Sequence, residues 1–403
     1  MIRRQLPAYT PQSPALALAT LAGAASSSGR SFTELQEYLG RRFGADQVLL
    51  TSSGTQALQV ALELATGADR EGRPVALPAF GCYDLITAAV GARTRIVFYD
   101  VDPTHLVPDP ESLRAALQAG VCAVVATPLY GFPLDWTWLR QECDVAGVFL
   151  IEDSAQGLGS EWQGAEGGSF GDATVLSFGR GKGWSGAGGG ALLLRHDDLV
   201  HRVGAARLPQ PPLGTSLGDF MASSALWLLG RPGLYWLPAS LPFLHLGETT
   251  YKDPRPVAGP SPFAAASALR QADLAVEAVE TRRRWAAAWT GLVESADVAA
   301  AVKPCRVLEG GASGYLRFPV VATDRAVAET LLEAGRDAGV GPPYPMILPE
   351  LEPAQPLAVR TGPTPGAAEL ARRLLTLPTH SRVRPRDLRT IEGVLRRVAA
   401  DRP

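Results

Sequence analysis

The chain reads as an α/β protein with a mostly parallel seven-stranded sheet held between helices and a smaller α+β unit at its C-terminal end. Two observations predict that class. Short apolar runs recur between longer amphipathic stretches, and strands alternating with helices build βαβ units and a parallel sheet. Several runs are also apolar at nearly every position, which suits strands covered by helices on both faces.

Taken in order, the runs are "QVLL" (47–50), "PVALP" (74–78), "RIVFYD" (95–100), "AVVATP" (123–128), "VFLIED" (148–153), "ATVLSF" (173–178) and "GALLLR" (190–195). They predict one large domain over residues 1–270, and at 403 residues the chain exceeds the size at which a single core usually stops growing. Within that domain, about residues 208–250 form an insert rich in Trp, Leu and Pro. Its uncharged stretches, 11 and 16 residues long, fall short of the roughly 18 a spanning helix needs. A helical insert packed on its own domain or on a second copy is the reading, with a substrate lid or a peripheral membrane contact as alternatives.

From Ser261, "SPFAAASALRQADLAVEAVETRRRWAAAWTGLVESA" begins with a Ser N-cap and a Pro at the first helical position, which predicts one long helix. That helix would link the large domain to a second one over residues 271–403. There "YLRFPVVA" reads as a strand, and "DRAVAETLLEAGRDAG" and "PRDLRTIEGVLRRVAA" as helices.

Composition narrows the partners. Apolar residues make up 46% and charged residues 19%, with a formal net charge of -2, so there is no electrostatic footprint for nucleic acid or an anionic membrane. The cysteines Cys82, Cys122, Cys143 and Cys305 lie far apart without a CxxC pair, which predicts neither a zinc site nor a disulfide framework. Prolines interrupt the mildly apolar N-terminus before an export signal develops, so a cytoplasmic location is expected.

Three stretches carry chemistry. In "TSSGTQALQVALELA", Ser52, Ser53, Gly54 and Thr55 stand where a helix follows a strand, and the backbone N–H groups and hydroxyls there either cradle a phosphate or simply cap the helix. In "VFLIEDSAQGLG", a strand delivers Glu152 and Asp153 at its carboxyl end, the edge where open parallel sheets place ligands. Asp153 either holds a cationic ring or caps the next turn, and Glu152 points to the opposite face. In "SFGRGKGWSGAGGG", Lys182 sits in a glycine-rich loop after a strand, where an amine with free space and little water around it can form a Schiff base with an aldehyde. A solvated lysine beside Arg180 is the alternative. Phosphate cradle, anion and amine are together the three handles of pyridoxal phosphate.

These stretches resemble the DegT/StrS family of PLP-dependent aminotransferases, known for nucleotide-sugar amination and built on the aspartate-aminotransferase fold, fold type I. "SSGTQAL" is similar to the family's SGTxAL cup, "IEDSAQGLG" to its EDxAQxxG motif and "GGSFGDATVLSFGRGKG" to its GxxGDxxxxSFxxxK segment. The resemblance implies that Lys182 forms the internal Schiff base, that Asp153 pairs with the pyridinium nitrogen at a lowered pKa, and that Gln156 lies near the phenolic oxygen. It further implies that Ser53, Gly54, Thr55 and Ser177 hold the phosphate. In "LPAFGCYDLITAAVGAR" it implies an aromatic over the ring, Phe80 or else Tyr83. "GVGPPYPMILPEL" and "LLTLPTHSRV" resemble C-terminal family segments, which makes Tyr344 a substrate-contact candidate and His380 a structural one.

The resemblance implies a homodimer and amino transfer from an amino-acid donor to a keto or aldehyde acceptor such as a nucleotide-linked keto sugar. A lyase or dehydratase of the same family, which has His in place of Lys182, and a non-catalytic regulatory or membrane-associated relative are the alternatives. One departure stands out. The family's GxNxRM-like segment, whose Asn reaches the neighbouring subunit's cofactor phosphate, has no match before the long helix, where this chain reads "LGETTYKDPRP".

Overall fold

The computed structural model describes residues 4–11, 13, 15, 17–21, 28–67, 72–203, 208–212, 214–239 and 249–400. The strands in chain order are β1 Gln47–Thr51, β2 Val75–Pro78, β3 Ile96–Tyr99, β4 Ala123–Ala126, β5 Phe149–Asp153, β6 Glu161–Trp162, β7 Ala165–Glu166, β8 Ala173–Ser177 and β9 Gly190–Leu194. They continue with β10 Val302–Pro304, β11 Gly311–Ala312, β12 Phe318–Ala322, β13 Ala358–Thr361 and β14 Leu374–Leu377.

All seven predicted runs are strands of one sheet. Its order is β1-β9-β8-β5-β4-β2-β3-β13, and β9 alone runs against its neighbours. Every residue of β2, β3, β4 and β9 is buried, as their unbroken apolar sequence requires. On one side the helices Gly54–Thr66 and Asp84–Ala92 close over the sheet, with Leu58, Leu62, Ile86 and Ala89 meeting Leu77, Phe98, Val125 and Ile151. On the other, Leu113, Leu139 and Trp136 cover Val97, Val124 and Leu150.

The sheet has eight strands where the sequence predicts seven. The eighth, β13, lies beyond residue 270 and adds in parallel to β3, with Ile96 N–H donating to the Leu357 carbonyl at 2.8 Å. It is a four-residue edge strand whose Val359 is exposed, so it lacks the apolar run that marks the buried strands. Tertiary context recruits it.

The predicted long helix is two helices, Pro262–Arg270 and Ala272–Val293, hinged at Gln271. Ser261 caps the first as expected, its hydroxyl accepting from Ala264 N–H. The break coincides with the indole of Trp184, which donates to the Ala268 carbonyl at 2.8 Å, the acceptor a continuous helix would offer to residue 272.

The second core gathers Trp289, Val293, Phe318, Val320, Leu331, Leu375, Leu377 and Ile391 around the sheet β10-β12-β14. A small sheet β11-β6-β7 completes the molecule. His380 is structural: it is buried, its Nε2 donates to the Leu6 carbonyl at 2.9 Å and its Nδ1 accepts from Arg382 N–H, while burial holds its pKa down at about 4.

Within the insert the described residues form helices Gly214–Leu229 and Trp236–Ala239; residues 240–248 lie outside the described part. The first packs on the helix Pro262–Arg270, with Phe220 edge-on to Phe263. Among the described residues no helix is long and apolar enough to cross a membrane.

Candidate active site

A cavity of about 480 Å³ opens at the carboxyl ends of β1, β4, β5 and β8. Ser53, Gly54, Thr55, Asp153, Gln156, Ser177 and Lys182 all line it. Segments far apart in sequence converge there because each follows, or ends, a strand of the same parallel sheet.

The helix Gly54–Thr66 begins at the cavity, and Ser53 caps it by accepting from Gln56 N–H at 3.2 Å. Ser177 ends β8 directly against it. A Cβ built on Gly54 would lie 2.7 Å from the Ser177 Cβ, so only glycine lets the helix terminus and that hydroxyl meet. Gly190 is tied to the same junction, since a Cβ there would come within 2.5 Å of Gly54 N. The result is a cradle of hydroxyls and helix N–H groups whose chemistry fits a phosphate.

Asp153 sits at the end of β5, buried, with one oxygen accepting from Ala155 N–H at 3.3 Å. It caps the next turn, and it also faces the cavity. A bound cationic ring would lower its pKa; in this structure burial, only partly opposed by Lys182, pushes it up. A buried carboxylate held at that cost is chemically matched to a cationic ring nitrogen. Glu152, as strand alternation demands, points the other way, accepting from Gly168 and Phe170 N–H.

Lys182 is half-buried on the cavity wall. Its N–H donates to the Gly179 carbonyl, its carbonyl accepts from the Thr10 hydroxyl, and Arg282 holds the next carbonyl, that of Gly183, at 2.9 Å. Gly181 takes φ +76°, a turn that glycine permits. The loop backbone that carries Lys182 along the cavity wall is thus pinned.

The aromatic candidates are placed differently. Phe80 is completely buried and edge-on to Tyr344, and Tyr83 is buried with its hydroxyl accepting from Met346 N–H. Neither lines the cavity. From that stretch Cys82 and Asp84 do, the thiol donating to the Asp84 carboxylate at 3.4 Å and pushed up to about 12 by burial and by Asp84. Tyr344 is one layer back: its hydroxyl accepts from Gln156 Nε2 at 2.9 Å and its ring stacks on Tyr130. Burial raises its phenol well above the usual value, so it remains protonated at neutral pH.

Residues 12–209 match the family model described as the DegT/DnrJ/EryC1/StrS aminotransferase family. The chain is 36% identical over 152 residues to L-glutamine:2-deoxy-scyllo-inosose aminotransferase of Streptomyces kanamyceticus, and 33% identical over 186 residues to dTDP-4-dehydro-2,3,6-trideoxy-D-glucose 4-aminotransferase of Saccharopolyspora spinosa. The aligned parts cover 38% and 45% of this chain and only 35% and 46% of those proteins. Among solved structures, DesI in the presence of its TDP-sugar product superposes with a TM-score of 0.75 at 25% identity, covering 100% of this chain and 94% of that one.

Several residues that line this cavity escape the sequence reading: Cys82, Asp84, Thr87, Lys252 and Arg255. Asp84 opens a helix, where an acid reads as ordinary dipole complement. Lys252 and Arg255 lie in an irregular stretch with no periodicity to orient them. The sequence signal for them was the missing family segment, which marks the stretch without saying where it goes.

Proposed function

We propose that the chain is a pyridoxal-phosphate-dependent aminotransferase that moves an amino group from an amino-acid donor to a keto carbon of a sugar-like acceptor. One observation carries this reading: Lys182, buried Asp153 and the Ser53-Gly54-Thr55-Ser177 cradle share one cavity. Two relatives, named for amination of 2-deoxy-scyllo-inosose and of a dTDP-linked dehydro sugar, support that acceptor class.

When bound, the cofactor supplies an aldehyde for amines and a cationic ring that withdraws electrons from the carbon losing a proton. Asp153 keeps the ring nitrogen protonated, and its own charge is stabilised in return. Thr55, Ser177 and the N–H groups opening the helix bind the phosphate and set the register of the ring in the cavity. Gln156, held by the Tyr344 hydroxyl and by Tyr130 N–H, would form part of the wall beside the ring. Lys182 Nζ would be the amine that holds the aldehyde, and as a base on the cavity wall it would move the proton of the donor's α-carbon. The net change balances: donor amine and acceptor ketone become keto acid and product amine, and no external oxidant is required.

The reading includes a homodimer acting in the cytoplasm. Its test is covalent: borohydride reduction of the purified protein with pyridoxal phosphate should fix the cofactor's mass on the peptide carrying Lys182, and nitrogen-labelled glutamine or glutamate should pass label to a keto-sugar acceptor. Absence of both products defeats the reading.

A further inference from the structure

We propose that Arg255 is the guanidinium ligand of the cofactor phosphate, supplied by the chain's own segment 252–258. The proposal rests on the pyridoxal-phosphate reading of the cavity. A phosphate in the cradle meets hydroxyls and N–H groups, all neutral donors; its charge calls for a cation, and the family segment that would reach this group is absent from the sequence.

Segment 252–258 is anchored across the cradle at both ends. The Lys252 carbonyl accepts from the Thr87 hydroxyl at 2.7 Å on the helix Asp84–Ala92. Four residues on, Gln56, in the first turn of the helix Gly54–Thr66, clamps the strand: its Nε2 donates to the Pro256 carbonyl at 2.9 Å and its Oε1 accepts from Ala258 N–H at 3.0 Å. Ser52 N–H donates to the Ala258 carbonyl at 2.8 Å. Arg255 therefore leaves the backbone one residue from the contact with the helix N-terminus, and it lines the same cavity as Gly54, Thr55 and Ser177.

The other cations of the wall are engaged or farther along. Lys182 is the amine that anchors the aldehyde. Arg180 lies near enough to Asp219 that its charge helps lower that carboxyl's pKa against the raising effect of burial. Lys252 departs at the Thr87 end of the segment, and Asp253 bonds Tyr251. Among the described residues Arg255 has no carboxylate within ion-pair distance, so its fork is free to bind a phosphate in two-point fashion.

The experiment titrates cofactor-free protein with pyridoxal phosphate and, separately, with pyridoxal, which lacks the phosphate, following the absorbance of the lysine adduct. Arg255→Gln should weaken pyridoxal phosphate about tenfold or more, the effect of a lost charge-assisted hydrogen bond, while pyridoxal affinity stays within about twofold of the wild type. Arg255→Lys should recover part of the loss, and thermal melting of each variant reports folding separately. If Arg255→Gln binds both compounds as the wild type does, the assignment is wrong, and a rise in acceptor KM alone would move the cation to the substrate. If the wild type itself forms no adduct with pyridoxal phosphate, the parent reading fails instead, and the two failures cannot be confused.

Discussion

The same sheet carries a cleft at each end, and the larger one is not the candidate site. At the amino ends of β4 and β5 a cleft of about 690 Å³ is lined by Glu63, Arg73, Cys122, Phe149 and Arg202. Its cations are committed to the scaffold: Arg73 donates to the Gly120 and Val121 carbonyls, and Arg202 donates to the Leu64 carbonyl while lying over the Phe149 ring. The cavity at the carboxyl ends is smaller, about 480 Å³, yet Lys182, Asp153 and Arg255 all line it. What separates the two ends is whether the polar groups are already satisfied by the fold. Strand direction decides which end that is, because loops leaving the carboxyl ends converge beside helix N-termini.

The largest effect is expected at Lys182. Lys182→Ala should abolish covalent attachment of pyridoxal phosphate and lower amino transfer by about three orders of magnitude or more, measured by reduced-adduct mass and by label transfer. Next in size, Asp153→Asn should cut transfer by roughly 10²–10³-fold while leaving attachment to Lys182 in place.

The same Asp153→Asn change sharpens the contrast through stability. Because burial raises the folded-state pKa of Asp153 above its ordinary 3.8, the folded protein binds the proton better than the unfolded chain, and stability falls as pH rises through that window. Without cofactor, Asp153→Asn should therefore melt higher than the wild type at neutral pH, and the gap should close as pH drops below 3.8. A cofactor-free variant that melts no higher at pH 7 would show that Asp153 is not held at a cost.

Smaller effects follow. Gly54→Ala forces a Cβ onto Ser177 and should cost about 1–3 kcal/mol of stability together with cofactor affinity, read by denaturant unfolding and by titration. His380, depressed from 6.5 to about 4, is neutral in the folded protein, so its contribution is complete above pH 6.5 and is lost as pH falls between 6.5 and about 4; His380→Gln should flatten that part of the stability profile. Smallest of all, Arg73→Ala at the opposite cleft should lower stability by about 1 kcal/mol or less and leave amino transfer unchanged.

The large sheet was legible in the sequence, and so were several of the residues that line the cavity at its carboxyl end. Seven apolar runs became seven strands because a strand buried on both faces must be apolar throughout, and that pattern is local. Ser53-Gly54-Thr55, Asp153 and Lys182 were legible because each lies at a strand end or in the loop that follows one, where the chemistry of the residue and its place in the pattern coincide.

Tertiary structure decided the rest, wherever a residue's role depends on a partner remote in sequence. Edge strand β13 exists because β3 offers it an unpaired rim. The break at Gln271 coincides with an indole from residue 184 at the Ala268 carbonyl. Phe80 and Tyr83 turn into the core while Cys82 and Asp84 face the cavity, since the orientation of a short irregular turn is set by what packs against it. Arg255 reaches the cradle only through Gln56 and Thr87, roughly two hundred residues earlier in the chain. Periodicity reports burial within one element; it holds no information about which distant element will supply a charge.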